Sequence, residues 1–168
     1  MQVPGGVTPS GYDLLAQAIS ANYLFIHEAD DGCLLPLDWP FPDLGIMLCH
    51  TGHKLQTHAH LSALRLGSVQ RGHDLVMRGF SALRAADKPI FCETINAYHD
   101  WLADSGGLVA ATKRLAKRLI EHPKILACKG CGAGGSDVIA LVIRVADAPA
   151  LTPWLAQLGL RVLNAPLL

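Results

Sequence analysis

Residues 128–137 read CKGCGAGGSD, and two kinds of chemistry are written into that stretch. Cys128 and Cys131 have the Cys-x-x-Cys spacing of a zinc knuckle or a redox dithiol. Tetrahedral zinc takes four ligands, however, and the chain has no second such pair. A redox pair sits best where a strand meets a helix N-terminus, which depresses the thiol pKa, but here the strand-like run VIALVIR follows. The expectation is two ordinary small residues on a strand and a loop. The glycines carry a different possibility. Gly130, Gly132, Gly134 and Gly135 lack Cβ atoms, so successive N–H groups can turn inward and approach an anion, with Lys129 adding charge at the entrance. Read alone, the segment fits a phosphate-holding loop and a long hairpin turn equally well.

Histidines form a second cluster, with His50, His53, His58 and His60 inside the eleven residues HTGHKLQTHAH. His-x-His spacing can converge on a metal, but on a helix His58 and His60 point about 200° apart, and no His-Glu-x-x-His pattern accompanies them. No metal site is expected; surface histidines around a polar loop are. At the N-terminus PGGVTPSGYD is turn chemistry, with Ser10 as helix N-cap and Asp13 in the first turn, where the dipole favours an ionised carboxylate.

These residues need elements to position them. A helix is expected over about residues 12–22, then a strand pair in YLFIHEAD and CLLPLDW turned by Asp30, Asp31 and Gly32. LGIMLCHTG reads as a third strand, apolar throughout and therefore central. Helical periodicity follows at residues 57–66, 68–86, 91–104 and 108–121, punctuated by Gly67, Pro89, Gly106-Gly107 and Pro123. ILACKG and DVIALVIRV form two strands around the glycine segment, and a helix over 149–158 and a strand near LRVLNA follow. The expected class is α+β, an antiparallel sheet packed against helices, in one domain over residues 1–168.

Composition narrows the partners. Lys plus Arg total 14 and Asp plus Glu total 14, so no broad basic field exists to hold nucleic acid or an anionic membrane. Lys113, Arg114, Lys117 and Arg118 read as a solvated helix face. No apolar run reaches the roughly 18 residues that cross a bilayer. The five cysteines do not form a secreted disulfide framework, and a cytoplasmic location is the expectation.

Three segments together resemble the GHMP kinase superfamily, the group of galactokinase, homoserine kinase, mevalonate kinase and phosphomevalonate kinase. LACKGCGAGGSDVIALV resembles its third, glycine-rich motif, and the form GAGGSD is most similar to the phosphomevalonate kinase branch. TPSGYD, residues 8–13, resembles the segment that carries the catalytic aspartate. LDWPFPDLGIMLCHTGHKLQTHAHL resembles a strand and loop of that branch, with Thr51, Gly52, Lys54 and Thr57 at matching positions. The resemblance implies the C-terminal portion of a GHMP-kinase-like fold, and transfer of the γ-phosphoryl of ATP, with Mg2+, to a small phosphorylated alcohol such as phosphomevalonate.

By the same resemblance Asp13 is the catalytic carboxylate. Lys129, Gly130, Gly132, Ala133, Gly134, Gly135 and Ser136 face phosphate, and Ser10, Gly11, Lys54 and Thr57 hold the acceptor, with His53 a weaker candidate. Two departures stand out. The family's Gly-Leu-Gly-Ser-Ser-Ala phosphate loop is absent from the sequence, and Cys131 stands where Ser is usual. A separate N-terminal half or self-association, through open sheet edges and an uncovered apolar face, is therefore expected. The alternative is a catalytically inactive remnant that binds a small anionic metabolite or a protein partner.

Overall fold

Alternating apolar residues in LGIMLCH and VIALVIR build the centre of the protein. The structure is a computed structural model; it describes the backbone of residues 23–28 and 31–36, and residues 38–52, 69–131 and 137–164 in full. In chain order, the described elements are strands β1 (Tyr23–Glu28), β2 (Asp31–Pro36) and β3 (Leu44–His50), then helices α1 (Val69–Arg84), α2 (Lys88–Asp104) and α3 (Ala110–Ile120). Strands β4 (Ile125–Cys131) and β5 (Val138–Arg144), helix α4 (Ala148–Gln157) and the short strand β6 (Arg161–Val162) complete the list.

The chain divides into two compact units, residues 1–38 and 39–168. In the first, β1 and β2 form an antiparallel hairpin with Tyr23 opposite Pro36 and Glu28 opposite Asp31. Asp31 and Gly32 are therefore paired strand residues and not turn residues, which leaves residues 29 and 30 as the connection. The reason is register: once Glu28 faces Asp31, only two residues remain between the strands.

In the second unit four antiparallel strands run in the order β4-β5-β3-β6. β3 is interior, as its sequence predicts, but its burial alternates along the strand because its two faces meet different surroundings. On one face Met47, Cys49, Ile139, Leu141, Ile143 and Cys128 pack with Leu119 of α3 and Leu151 and Leu155 of α4. On the other face Leu44, Val142 and Ala127 pack with Phe41, with Ala82 of α1 and with Phe91 of α2. Trp39 closes that second cluster edge-on to Phe41 and Phe91, at ring distances of 5.4 and 5.7 Å, and its indole N–H donates to the carbonyls of Phe41 and Leu44. That bond pins the start of β3.

Pro89 does not punctuate α2 but lies in its first turn, where its missing N–H costs nothing. The real start signal is Asp87, whose carboxylate accepts from the Ile90 N–H at 3.0 Å. β4 contains a bulge: Ile125 pairs with Ile143 and Ala127 with Val142, the adjacent residue on β5, so Leu126 has no opposite number.

Both borders of this sheet are closed by an asparagine amide. On the β4 side Asn96 of α2 accepts from the Cys128 N–H at 3.0 Å and donates to the carbonyl of the bulged Leu126 at 3.2 Å. On the β3 side, beyond the end of β6, Asn164 accepts from the Leu48 N–H at 2.7 Å and donates to the Ile46 carbonyl at 3.1 Å. Each amide turns one donor and one acceptor to the edge, as a further strand's peptide groups would. The open edges expected from sequence are thus occupied at these positions.

Candidate functional site

The register of the sheet brings the candidate residues to one end of it. Cys131 pairs with Val138, Val138 with His50, and His50 with Arg161, so these four form a row across β4, β5, β3 and β6. Because side chains alternate, His50, Cys131 and, two pairs inward, Lys129 share the face opposite α3 and α4. In the chain the glycine segment connects Cys131, in this row, to Asp137, which precedes Val138.

Lys129 and Gly130 lie in β4 and Thr51 and Gly52 follow β3, so four matched residues are brought to the same end. Asp13, Ser10, Gly11, Lys54 and Thr57 lie outside the described residues, as do Gly132, Ala133, Gly134, Gly135 and Ser136. The same holds for the expected helices at 12–22 and 57–66 and for His53, His58 and His60.

Around the row the polar groups are tied together. The Thr51 N–H donates to the Asp137 carbonyl at 2.9 Å and its hydroxyl to the same oxygen at 3.3 Å, which clamps the end of β3 to the residue that ends the glycine segment. His50 Nε2 stands 3.0 Å from Asp137 Oδ1, and His50 Nδ1 accepts from the Gly52 N–H at 3.1 Å. Gly52 reaches that position with φ of +79°, a conformation that suits glycine. With Nδ1 accepting, the proton of a neutral His50 is on Nε2. Among the described residues Asp137 Oδ1 is buried without a hydrogen-bond partner, and the His50 ring is its polar neighbour. Nδ1 of His50 is thereby occupied.

Lys129 is held back against α2. Its Nζ lies 5.4 Å from the centre of the Tyr98 ring and donates to the Gly130 carbonyl at 3.3 Å. Beside it His99 of α2 accepts from the Gly130 N–H at 3.4 Å. Burial holds the His99 imidazole below its ordinary pKa, opposed by Asp100 and assisted by Lys129 and Lys113. Asn96, His99 and the His50–Asp137 contact were not singled out by motif reading. A signal existed for the first two: they interrupt the apolar stripe of α2, three residues apart and so on one helical face.

The cysteines behave as the strand geometry dictates. Residues three apart in a strand point to opposite faces, so Cys128 and Cys131 cannot close on one ion. Cys128 Sγ is buried against the Ala116 carbonyl of α3, and burial pushes its pKa up to about 12; Cys131 Sγ turns to the Lys129 carbonyl. Both are free thiols. Among the described residues no cluster of three or more His, Cys, Asp or Glu could hold a metal ion, and no helix is long and apolar enough to cross a membrane.

No family model matches the sequence, and no curated protein matches it. Solved structures do match the fold. Mevalonate kinase from L. major, solved with R-mevalonate, matches over 91% of this chain and 50% of its own, at a TM-score of 0.73 and 18% identity. The fold is that of the GHMP kinases. Two further solved structures match as well. Phosphomevalonate kinase from Streptococcus pneumoniae matches over 79% of this chain and 42% of its own, at a TM-score of 0.61 and 14% identity. Mevalonate-3-kinase from Thermoplasma acidophilum, solved with mevalonate 3-phosphate and ADP, matches over 84% of this chain and 49% of its own, at 0.57 and 14%. The chain thus spans about half the length of these GHMP kinases. The GHMP fold is shared across these acceptors, so the architecture does not by itself select the phosphomevalonate branch.

Proposed function

We propose that this chain is the phosphate-holding half of a GHMP-type kinase that transfers the γ-phosphoryl of ATP to a small phosphorylated alcohol such as phosphomevalonate. One observation carries the reading. In a GHMP-kinase fold, the glycine-rich segment is the connection between two paired antiparallel strands, anchored at both ends by Gly130–His99 and Thr51–Asp137. In this reading the N–H groups of residues 132–136 and Lys129 neutralise phosphate oxygens, and Asp13 takes the acceptor's hydroxyl proton. Ser10, Gly11, Lys54 and Thr57 hold the acceptor. ATP arrives with Mg2+, and a further segment or a second chain supplies the other phosphate loop. That completed kinase works on a soluble metabolite in the cytoplasm.

The test is calorimetric titration of the chain with Mg·ATP and, separately, with phosphomevalonate. Binding of either supports the reading, and absence of heat from both sinks it. Where a companion chain restores ADP release, Asp13→Ala is expected to lower turnover at least about 100-fold, the scale of a lost general base. Retained turnover would remove Asp13 from its role.

A second reading is an inactive remnant that binds a small anionic metabolite or a protein partner. It predicts phosphomevalonate or pyrophosphate binding without any ADP release under the same conditions.

A further inference from the structure

β4 is the outermost strand of its sheet, so every second N–H along it points away from β5 and needs a partner elsewhere. α2 supplies these partners in sequence. Asn96 takes the Cys128 N–H, and His99 takes the next outward one, that of Gly130. Gly130 is the last outward-pointing residue of β4 before residues 132–136 begin.

His99 is only 6% exposed, so water does not readily replace it as the acceptor. An imidazole accepts at Nδ1 only while it is neutral, with its proton on Nε2. A second proton would place donor against donor at Gly130. The charged groups that face the ring come from three elements: Lys129 on β4 and Lys113 on α3 oppose a positive imidazole, and Asp100 on α2 favours it. Burial is the largest influence on the ring.

We propose that His99 is the positioning residue that pins the end of β4 where the glycine segment begins, and that it does so only as the neutral imidazole, so that anion holding at this end of the sheet weakens on acidification. The claim about anions rests on the phosphate-holding reading above; the claim about Gly130 stands without it.

The experiment follows the Gly130 amide in the full chain by hydrogen exchange, corrected for intrinsic rates, from neutral pH downward, alongside pyrophosphate affinity. In the unaltered protein, protection of Gly130 is expected to fall about tenfold, the loss of one hydrogen bond, as the pH drops below the ordinary imidazole value of 6.5. His99→Gln, whose amide oxygen accepts at any pH, should keep the protection throughout, and its pyrophosphate affinity should follow only the ligand's own protonation. His99→Leu should lack the protection at every pH. Gly130 protection in the unaltered protein that ignores pH, or that survives in His99→Leu, overturns the proposal; if His99→Leu does not fold, the pH series on the unaltered protein and on His99→Gln decides alone. Pyrophosphate affinity that ignores pH beyond the His99→Gln control, while Gly130 protection follows it, overturns the claim about anions. A chain that binds no pyrophosphate near neutral pH counts against the phosphate-holding reading, and the amide measurement still decides the role of His99.

Discussion

Cys128 and Cys131 are three residues apart in a strand, and that single fact separates their chemistry. Burial raises Cys128 to about 12 and Cys49 to about 11, so neither offers thiolate near neutral pH, whereas Cys131 is only half-buried at the end of β4. Brief treatment of the native protein with iodoacetamide, read by mass spectrometry, should therefore modify Cys131 and leave Cys49 and Cys128 untouched; labelling of Cys128 at a comparable rate would contradict the strand assignment. The sequence already argued against a metal or redox pair, on ligand count and on the strand that follows. What motif reading could not supply was the partner of each polar residue. His50 was visible only as one histidine of a cluster, because Asp137 is brought to it by the pairing of β3 with β5 and not by proximity in the chain.

Among the elements, α2 has a double task. Its Phe91 and Cys92 bury apolar surface beneath the sheet, while Asn96 and His99 complete the hydrogen bonds of β4. Replacing Asn96 with Leu leaves the Cys128 N–H and the Leu126 carbonyl without partners. The expected cost is about 2 kcal/mol, read as a lower urea midpoint at unchanged slope. Asn96→Asp should cost part of that, since the carboxylate still accepts from Cys128 but repels the Leu126 carbonyl. No loss for Asn96→Leu would mean that water reaches this border. Among the described residues element existence was legible from periodicity: strands and helices occur close to where apolar spacing places them. Boundaries were less so. The start of α2 is set by the Asp87 cap and not by Pro89, and the β1–β2 connection is set by register and not by the Asp-Asp-Gly composition.

At the scale of the whole molecule, acid sensitivity has two identifiable sources. His99 is held below its ordinary pKa in the folded protein, so the unfolded chain binds the proton more readily. Its contribution is fully present above 6.5 and is lost as the pH falls through the lower folded value. The Lys88 ammonium, 2.6 Å from both oxygens of Asp43, likewise holds that carboxylate below its usual range, a contribution lost only in stronger acid. Urea unfolding should show stability declining below about pH 6.5, with the decline flattened in His99→Gln; an unchanged slope in that variant would place the acid-sensitive group elsewhere. The closed borders matter at this scale as well. A second strand finds no free edge group at the positions held by Asn96 and Asn164.

The bulge in β4 means that this strand carries one spare residue. Ile125 and Ala127 already face neighbouring positions on β5, so deleting Leu126 would leave every pairing on either side intact, from Ile143 to Val138. Deleting Lys129 instead would shift its neighbours by one place and turn their side chains to the wrong faces. The Leu126 deletion should therefore fold with Cys131 still opposite Val138, detectable as an unchanged cross-strand contact by NMR, whereas the Lys129 deletion should not. In a strand of seven residues, then, tolerance to shortening is concentrated at a single position, and it lies at the end away from the glycine segment.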